Sequence, residues 1–226
     1  MGHPIQRIAT PGEEDVQRRC ADRARLLERI AVGLAHEGKN PLHNMALHLQ
    51  LMSEKLVSPE RPGGSPIEKH VAALRDGIGR VDALLRAFGE FASPAHLPAD
   101  LVAAVNRAVR LFAHDVRRAT VKVSQRGPAA LVVGSDGALL GELVAHAFVA
   151  SLELAREGGA VDLHVERRGA AGVLEIRAGG AIGSRENAHP YLDAARLLAR
   201  DAACELSIET PPAGGASLSL SFLLPR

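Results

Sequence analysis

Apolar residues at Ile67, Val71, Leu74, Ile78, Val81, Leu85 and Phe88 recur at intervals of 4-3-4-3-4-3. Only an α-helix gathers such positions onto one stripe, and their mean spacing is that of a helix lying along another helix. A second stripe precedes it: Met45, Leu49, Met52 and Leu56, spaced 4-3-4. Between the two, Val57 to Pro66 holds three prolines and two glycines, the composition of a turn. Two heptad helices joined by a short turn form an antiparallel hairpin. A single hairpin has too little interior to cover both stripes. The pattern therefore predicts a homodimer in which two hairpins make a four-helix bundle.

The first of these helices is longer than its stripe. Helical patterning begins near Gly12, behind a tail of residues 1–11, and the hairpin unit spans 12–93. Inside it stands His36-Glu37-Gly38-Lys39-Asn40-Pro41-Leu42. Pro41 removes a backbone donor and crowds the carbonyl of Glu37, at about 3 kcal/mol in a helix interior, so a bend is expected beside His36. A neutral imidazole has a usual pKa of about 6.5 and is a competent nucleophile and group carrier near neutral pH. Continuing the stripe backwards through Met45, Pro41, Gly38 and Leu34 leaves His36 off it, facing solvent and a partner. His43 and His48 read as exposed helix residues, because five residues separate them and one helical face cannot bring both to a metal. Leu47 and Leu51 also fall outside the narrow stripe. They either widen the four-helix core or, with His43, meet a partner.

Ser93-Pro94-Ala95-His96-Leu97-Pro98 breaks the helical pattern, and a second domain is expected over 97–226. Asp100 to Arg118 reads as a helix with Leu101, Val105, Ala108, Leu111 and Phe112 on one face. Val121 and Val123 alternate as a strand, and Ala130 to Val133 form a short apolar run counted as another. Asp136 is placed to cap a helix over about Gly137–Arg156 that is apolar nearly all round and hence buried. On it, His146 reads as a satisfied core histidine and Glu153 as a solvated or capping acid. Strands follow at Val161–Val165 and Val173–Ile176, then a helix starting at Pro190 and running to Ala203. Strands at Leu206–Ile208 and Leu218–Phe222, parted by a turn at Pro211–Gly215, complete an α+β sandwich.

Composition narrows the function classes. Lys plus Arg number 27 against 26 Asp plus Glu, with the signs interspersed, so no nucleic-acid or anionic-membrane footprint is present. The two cysteines, Cys20 and Cys204, stand alone, which fits a reducing compartment and gives no metal motif. Residues 1–10 hold no apolar core of a secretory signal, and no apolar run approaches a spanning helix of about 20 residues. A cytoplasmic location without membrane insertion is expected.

The order of elements and the motif at His36 together resemble the two-domain core of bacterial sensor histidine kinases, over roughly residues 20–226. Leu34 to Leu42 resembles the phospho-acceptor box of their dimerisation and histidine-phosphotransfer domain, with Gly38 replacing a bulky apolar residue. Leu85 to Ala92 is similar to the end of the second hairpin helix, and Leu192 to Pro225 to the tail of the GHKL-type ATP-binding domain. The resemblance implies roles for the box. His36 is the phospho-acceptor. Glu37 accepts a hydrogen bond from its Nδ1 and leaves Nε2 free to attack. Lys39 balances phosphoryl charge, and Asn40 stands where a hydrolytic water is oriented on a bound response regulator.

The nucleotide elements depart from the family together. His146 and Ala150 occupy positions of the N-box asparagines, and alanine offers magnesium no oxygen. Ala178-Gly179-Gly180-Ala181-Ile182 stands for Asp-x-Gly-x-Gly, so the adenine-reading carboxylate is gone at Ala178 and only Gly180 is in register. Gly183 to His189 is too short for a lid over triphosphate. The implied protein binds neither ATP nor magnesium in the family's manner, holds no metal, and passes phosphoryl through His36 to or from the aspartate of response-regulator receiver domains. Three other readings stay open: an autokinase with a rearranged ATP site, a non-catalytic pseudokinase or regulator-binding module, and a response-regulator phosphatase.

Overall fold

The computed structural model describes residues 11–57, 67–92, 99–155, 158–179, 185–209 and 215–225. The tail up to residue 10, the Pro-Gly turn at 58–66 and the break at 93–98 lie outside them. Two long helices come first, α1 (Pro11–Val57) and α2 (Ile67–Ala92), packed on one another. Helix α1 runs unbroken through Pro41. The expected bend does not end or divide the helix there, because Pro41 is half-buried beside α2 and tertiary contact holds the turn in place.

The heptad reading needs one correction. The stripe of α2 that is buried or half-buried runs His70, Leu74, Gly77, Val81, Leu84, Phe88 and Phe91. Of the predicted positions, Ile67, Ile78 and Leu85 are exposed, the last two by 60% and 62%, and Leu49 of α1 is exposed by 55%. Helix α1 reaches closest at Gly77, where an added Cβ would meet Met45 Cγ at 2.6 Å. A heptad stripe is wide enough to serve two neighbours, and one chain supplies only one of them. His48 is likewise not an exposed helix residue: its Nδ1 lies 3.0 Å from Nδ1 of buried His70.

The remaining chain builds two layers. Helices α3 (Leu101–Leu111) and α4 (Ala113–Arg118) precede β1 (Lys122–Arg126). Then come α5 (Gly137–Leu154), β2 (Ala160–Arg168), β3 (Ala171–Gly179), α6 (Arg185–Asp201), β4 (Cys204–Glu209) and β5 (Ala216–Leu223). The sheet order is β1-β2-β3-β5-β4, with β1 and β2 parallel and the other pairs antiparallel. Alternation puts Val161, Leu163, Val165, Leu218, Leu220 and Phe222 into the core, while Ser217, Ser219 and Ser221 face away from it. Asp100 and Asp136 cap α3 and α5, each accepting two N–H bonds from its helix, and Asp100 accepts a third from Leu131.

Three elements differ from expectation. Ala130–Val133 forms no strand; Val132 makes an isolated bridge to Asp100. The helix read over Asp100–Arg118 breaks at Phe112, whose fully buried ring sits 6.3 Å from that of Phe148. Helix α6 begins at Arg185 and contains Pro190 as its sixth residue, so the helix lacks the hydrogen bond that an N–H there would donate to the carbonyl of Glu186. Among the described residues α5 alone is long and apolar enough to cross a bilayer, and 78% of it is buried inside the protein.

The N-terminal half of α1 is built into the sandwich. Leu26 and Ile30 are fully buried in the same core as α3, α5 and the sheet. Arg19 pairs with Asp201 of α6, and Arg23 with Glu142 of α5. Burial pushes the Glu142 carboxyl up, and Arg23 pulls it back.

Candidate functional site

Helix α4 meets α1 at the turn that carries His36 and Glu37. Gly33 faces α4 there: a Cβ would lie 3.5 Å from the Cβ of His114 and 3.6 Å from the carbonyl of Leu111, ordinary contact distances, so alanine fits and only a side chain extending past Cβ would crowd α4. One turn further along, the exposed His36 ring stacks on His114, with centroids 4.5 Å apart and planes within 5°. Glu37 binds the Arg117 guanidinium, and its Oε1 lies 3.8 Å from Nδ1 of His114. The expected hydrogen bond from His36 to Glu37 is thus replaced. Adjacent residues on a helix point about 100° apart, so the carboxylate turns to α4.

The other box residues are placed as follows. Lys39 and Asn40 are exposed, and Pro41 is half-buried. His43 is exposed, as are Leu47 at 48% and Leu51 at 36%. Within one chain neither leucine belongs to the core. Of the positions that the resemblance aligned with nucleotide-binding residues, His146 is 1% exposed, Ala150 not at all and Ala178 2%; Gly180 lies outside the described residues. His146 is in the core as expected but unsatisfied, since neither ring nitrogen has a hydrogen-bond partner. Burial, with Arg25 adding to it, pushes its pKa down to about 4.

Beneath the stack lies a charged knot. The Arg29 guanidinium bonds Asp115 of α4 at 2.9 Å, Glu153 of α5 at 2.7 Å and the Tyr191 hydroxyl of α6 at 3.2 Å. Burial opposes its charge, but Tyr191 and the two carboxylates outweigh that and hold its pKa above the usual value. Glu153 is therefore an ion-pair partner and not a solvated acid. Sequence reasoning missed Arg29, His114 and Arg117. They come from segments more than 80 residues apart, and none sits in a local pattern.

A histidine-bearing hairpin is thus followed by a mixed sheet with helices on one face, the order the resemblance implied. No family model matches the chain, and no curated protein does. Among solved structures, a bacterial phosphotransferase determined at 1.7 Å is similar at 16% identity with a TM-score of 0.48, over 87% of this chain and 96% of that one. The histidine kinase AdeS of Acinetobacter baumannii is similar at 13% identity and 0.45, over 84% and 98%. The mycobacterial sensor histidine kinase MprB is similar at 15% identity and 0.46, over 58% and 100%.

Proposed function

We propose that this chain is a cytoplasmic histidine phosphotransferase that passes phosphoryl through His36 to or from the aspartate of response-regulator receiver domains. The observation that carries the reading is a contrast in exposure: His36 is open to solvent, whereas positions 146 and 150 are sealed in the core. In the forward step Nε2 of His36 attacks the phosphorus of an aspartyl phosphate. The N–P bond forms, the acyl P–O bond breaks and the aspartate leaves as carboxylate. The Mg²⁺ of the receiver neutralises the phosphoryl oxygens, and Lys39 stands close enough along the helix to add charge. The test is transfer of labelled phosphoryl from a phosphorylated receiver domain. Wild type is expected to take the label and His36→Ala none; equal labelling would sink the reading. Saturable binding of Mg-ATP is not expected, since the sealed positions offer magnesium no ligand.

The second copy enters through the apolar face that one hairpin leaves bare. Leu42 and Leu49 are seven residues apart on α1, as are Ile78 and Leu85 on α2, and each is more than half exposed. In antiparallel right-handed helices these pairs share one flank of the hairpin, with Ile67 beside them. A four-helix bundle covers that flank. Ile78→Glu combined with Leu85→Glu is expected to turn a sedimenting dimer into a monomer with the fold retained. A wild type that sediments as a monomer at tens of micromolar would refute the bundle.

One observation favours a second activity at the same turn. Asn40 is exposed one turn beyond His36 and has no partner among the described residues. An amide so placed can orient water for hydrolysis of the regulator's aspartyl phosphate. Asn40→Ala would then slow receiver dephosphorylation while labelling of His36 persists.

A further inference from the structure

The opposite flank of α1 from Leu42 and Leu49 carries Glu37, Asn40 and Asn44. These residues form one wall of a cleft of about 430 Å³ whose other walls include Arg80 of α2, Arg110 of α3 and Arg117 of α4. Three guanidinium groups thus face one carboxylate. Arg117 is held by that carboxylate, Glu37, and Arg80 by Asp76 on its own helix. Arg110 has no ion-pair or hydrogen-bond partner among the described residues, and neither amide side chain has one. The cleft therefore concentrates unspent N–H donors and positive charge in a concave space of small-ligand size. Planar guanidinium forks match the oxygens of a phosphate, and amide N–H groups complete such a shell. Leu84 and Pro41 add a short apolar wall beside the charges.

We propose that this cleft is a binding site for a phosphate dianion, free or as the head of a small phosphomonoester. Arg110 is the anchor, Asn40 and Asn44 donate hydrogen bonds, and Arg117 is shared between the ligand and Glu37. The site stays open in the dimer, because the apolar flank lies on the other side of the hairpin. It does not depend on His36 carrying phosphoryl, so binding and transfer fail or succeed separately.

The experiment titrates the full-length protein with inorganic phosphate and, in a second arm, with phenyl phosphate, following arginine Nε–H signals by NMR. Saturable shifts at Arg110 and Arg117 are expected. Arg110→Gln should weaken binding about tenfold, the loss of one charge-assisted contact, and leave the melting temperature unchanged. Arg196→Gln, at an exposed side chain of α6 outside the cleft, should bind as wild type. Stronger binding of phenyl phosphate supports a phosphomonoester ligand that uses Leu84 and Pro41; equal or weaker binding supports free phosphate. Linear, unsaturable shifts shared by Arg196 would overturn the proposal. So would saturable binding that Arg110→Gln leaves intact.

Discussion

Replacing Arg29 by alanine is expected to cost the fold about 3–5 kcal/mol, the usual loss when one member of a buried ionic group is removed. Arg29, Asp115 and Glu153 have side chains only 16%, 6% and 19% exposed, so solvent screens them little. Without the guanidinium, Glu153 loses its ion-pair partner and Asp115 keeps only the longer contact to the more exposed Arg118 at 3.5 Å. Asp115 is the worse placed, since its Oδ2 already has no partner. Thermal unfolding should report a fall of about 10 °C for a chain of this size. The consequence reaches the turn at His36, because Asp115 anchors the short helix that presents His114 and Arg117. Imidazole NMR signals of His36 and His114 should move apart from their wild-type positions even where the variant remains folded. A melting temperature within a degree of wild type would show that the knot does not hold α4.

Acidification supplies the second large effect. His146 has a folded pKa of about 4, whereas an unfolded histidine titrates near 6.5. Between those values the unfolded chain binds a proton that the folded chain refuses. Its contribution to stability is whole above pH 6.5 and falls as pH drops, by about 3 kcal/mol at pH 4. His70 is lowered too, by its loss of solvent, then by Lys55 and His48, and adds to the same slope. Glu142, raised by burial, acts with the opposite sign and only in the carboxylate range. His146→Leu should flatten most of the slope in urea unfolding between pH 7 and 5. It should also raise stability at pH 7 by about 1 kcal/mol or more, because two unsatisfied buried nitrogens are removed. An unchanged slope in that variant would assign the acid sensitivity elsewhere.

Much of the architecture was readable along the chain because it depends on local period and punctuation. The heptads, the cap at Asp136, and the alternation in β2 and β5 are each written within about ten residues. The failures share a cause. Ala130–Val133 has strand-like composition but no neighbouring strand to pair with beyond one bridge. Pro190 looks like a helix start, yet tertiary contact carries α6 one turn further back. One hairpin covers only part of the α2 heptad, leaving Ile78 and Leu85 exposed, since an apolar stripe does not say which of two neighbours each position serves.

The sequence by itself determined a histidine-bearing hairpin and a two-layer α+β partner, since composition and spacing act at short range. Only the tertiary structure decided what surrounds His36. The stacked His114, Arg117 on Glu37 and the Arg29 knot join helices far apart in the chain. Their meeting depends on how α1 sinks Leu26 and Ile30 into the sandwich core, a packing outcome that no local pattern encodes.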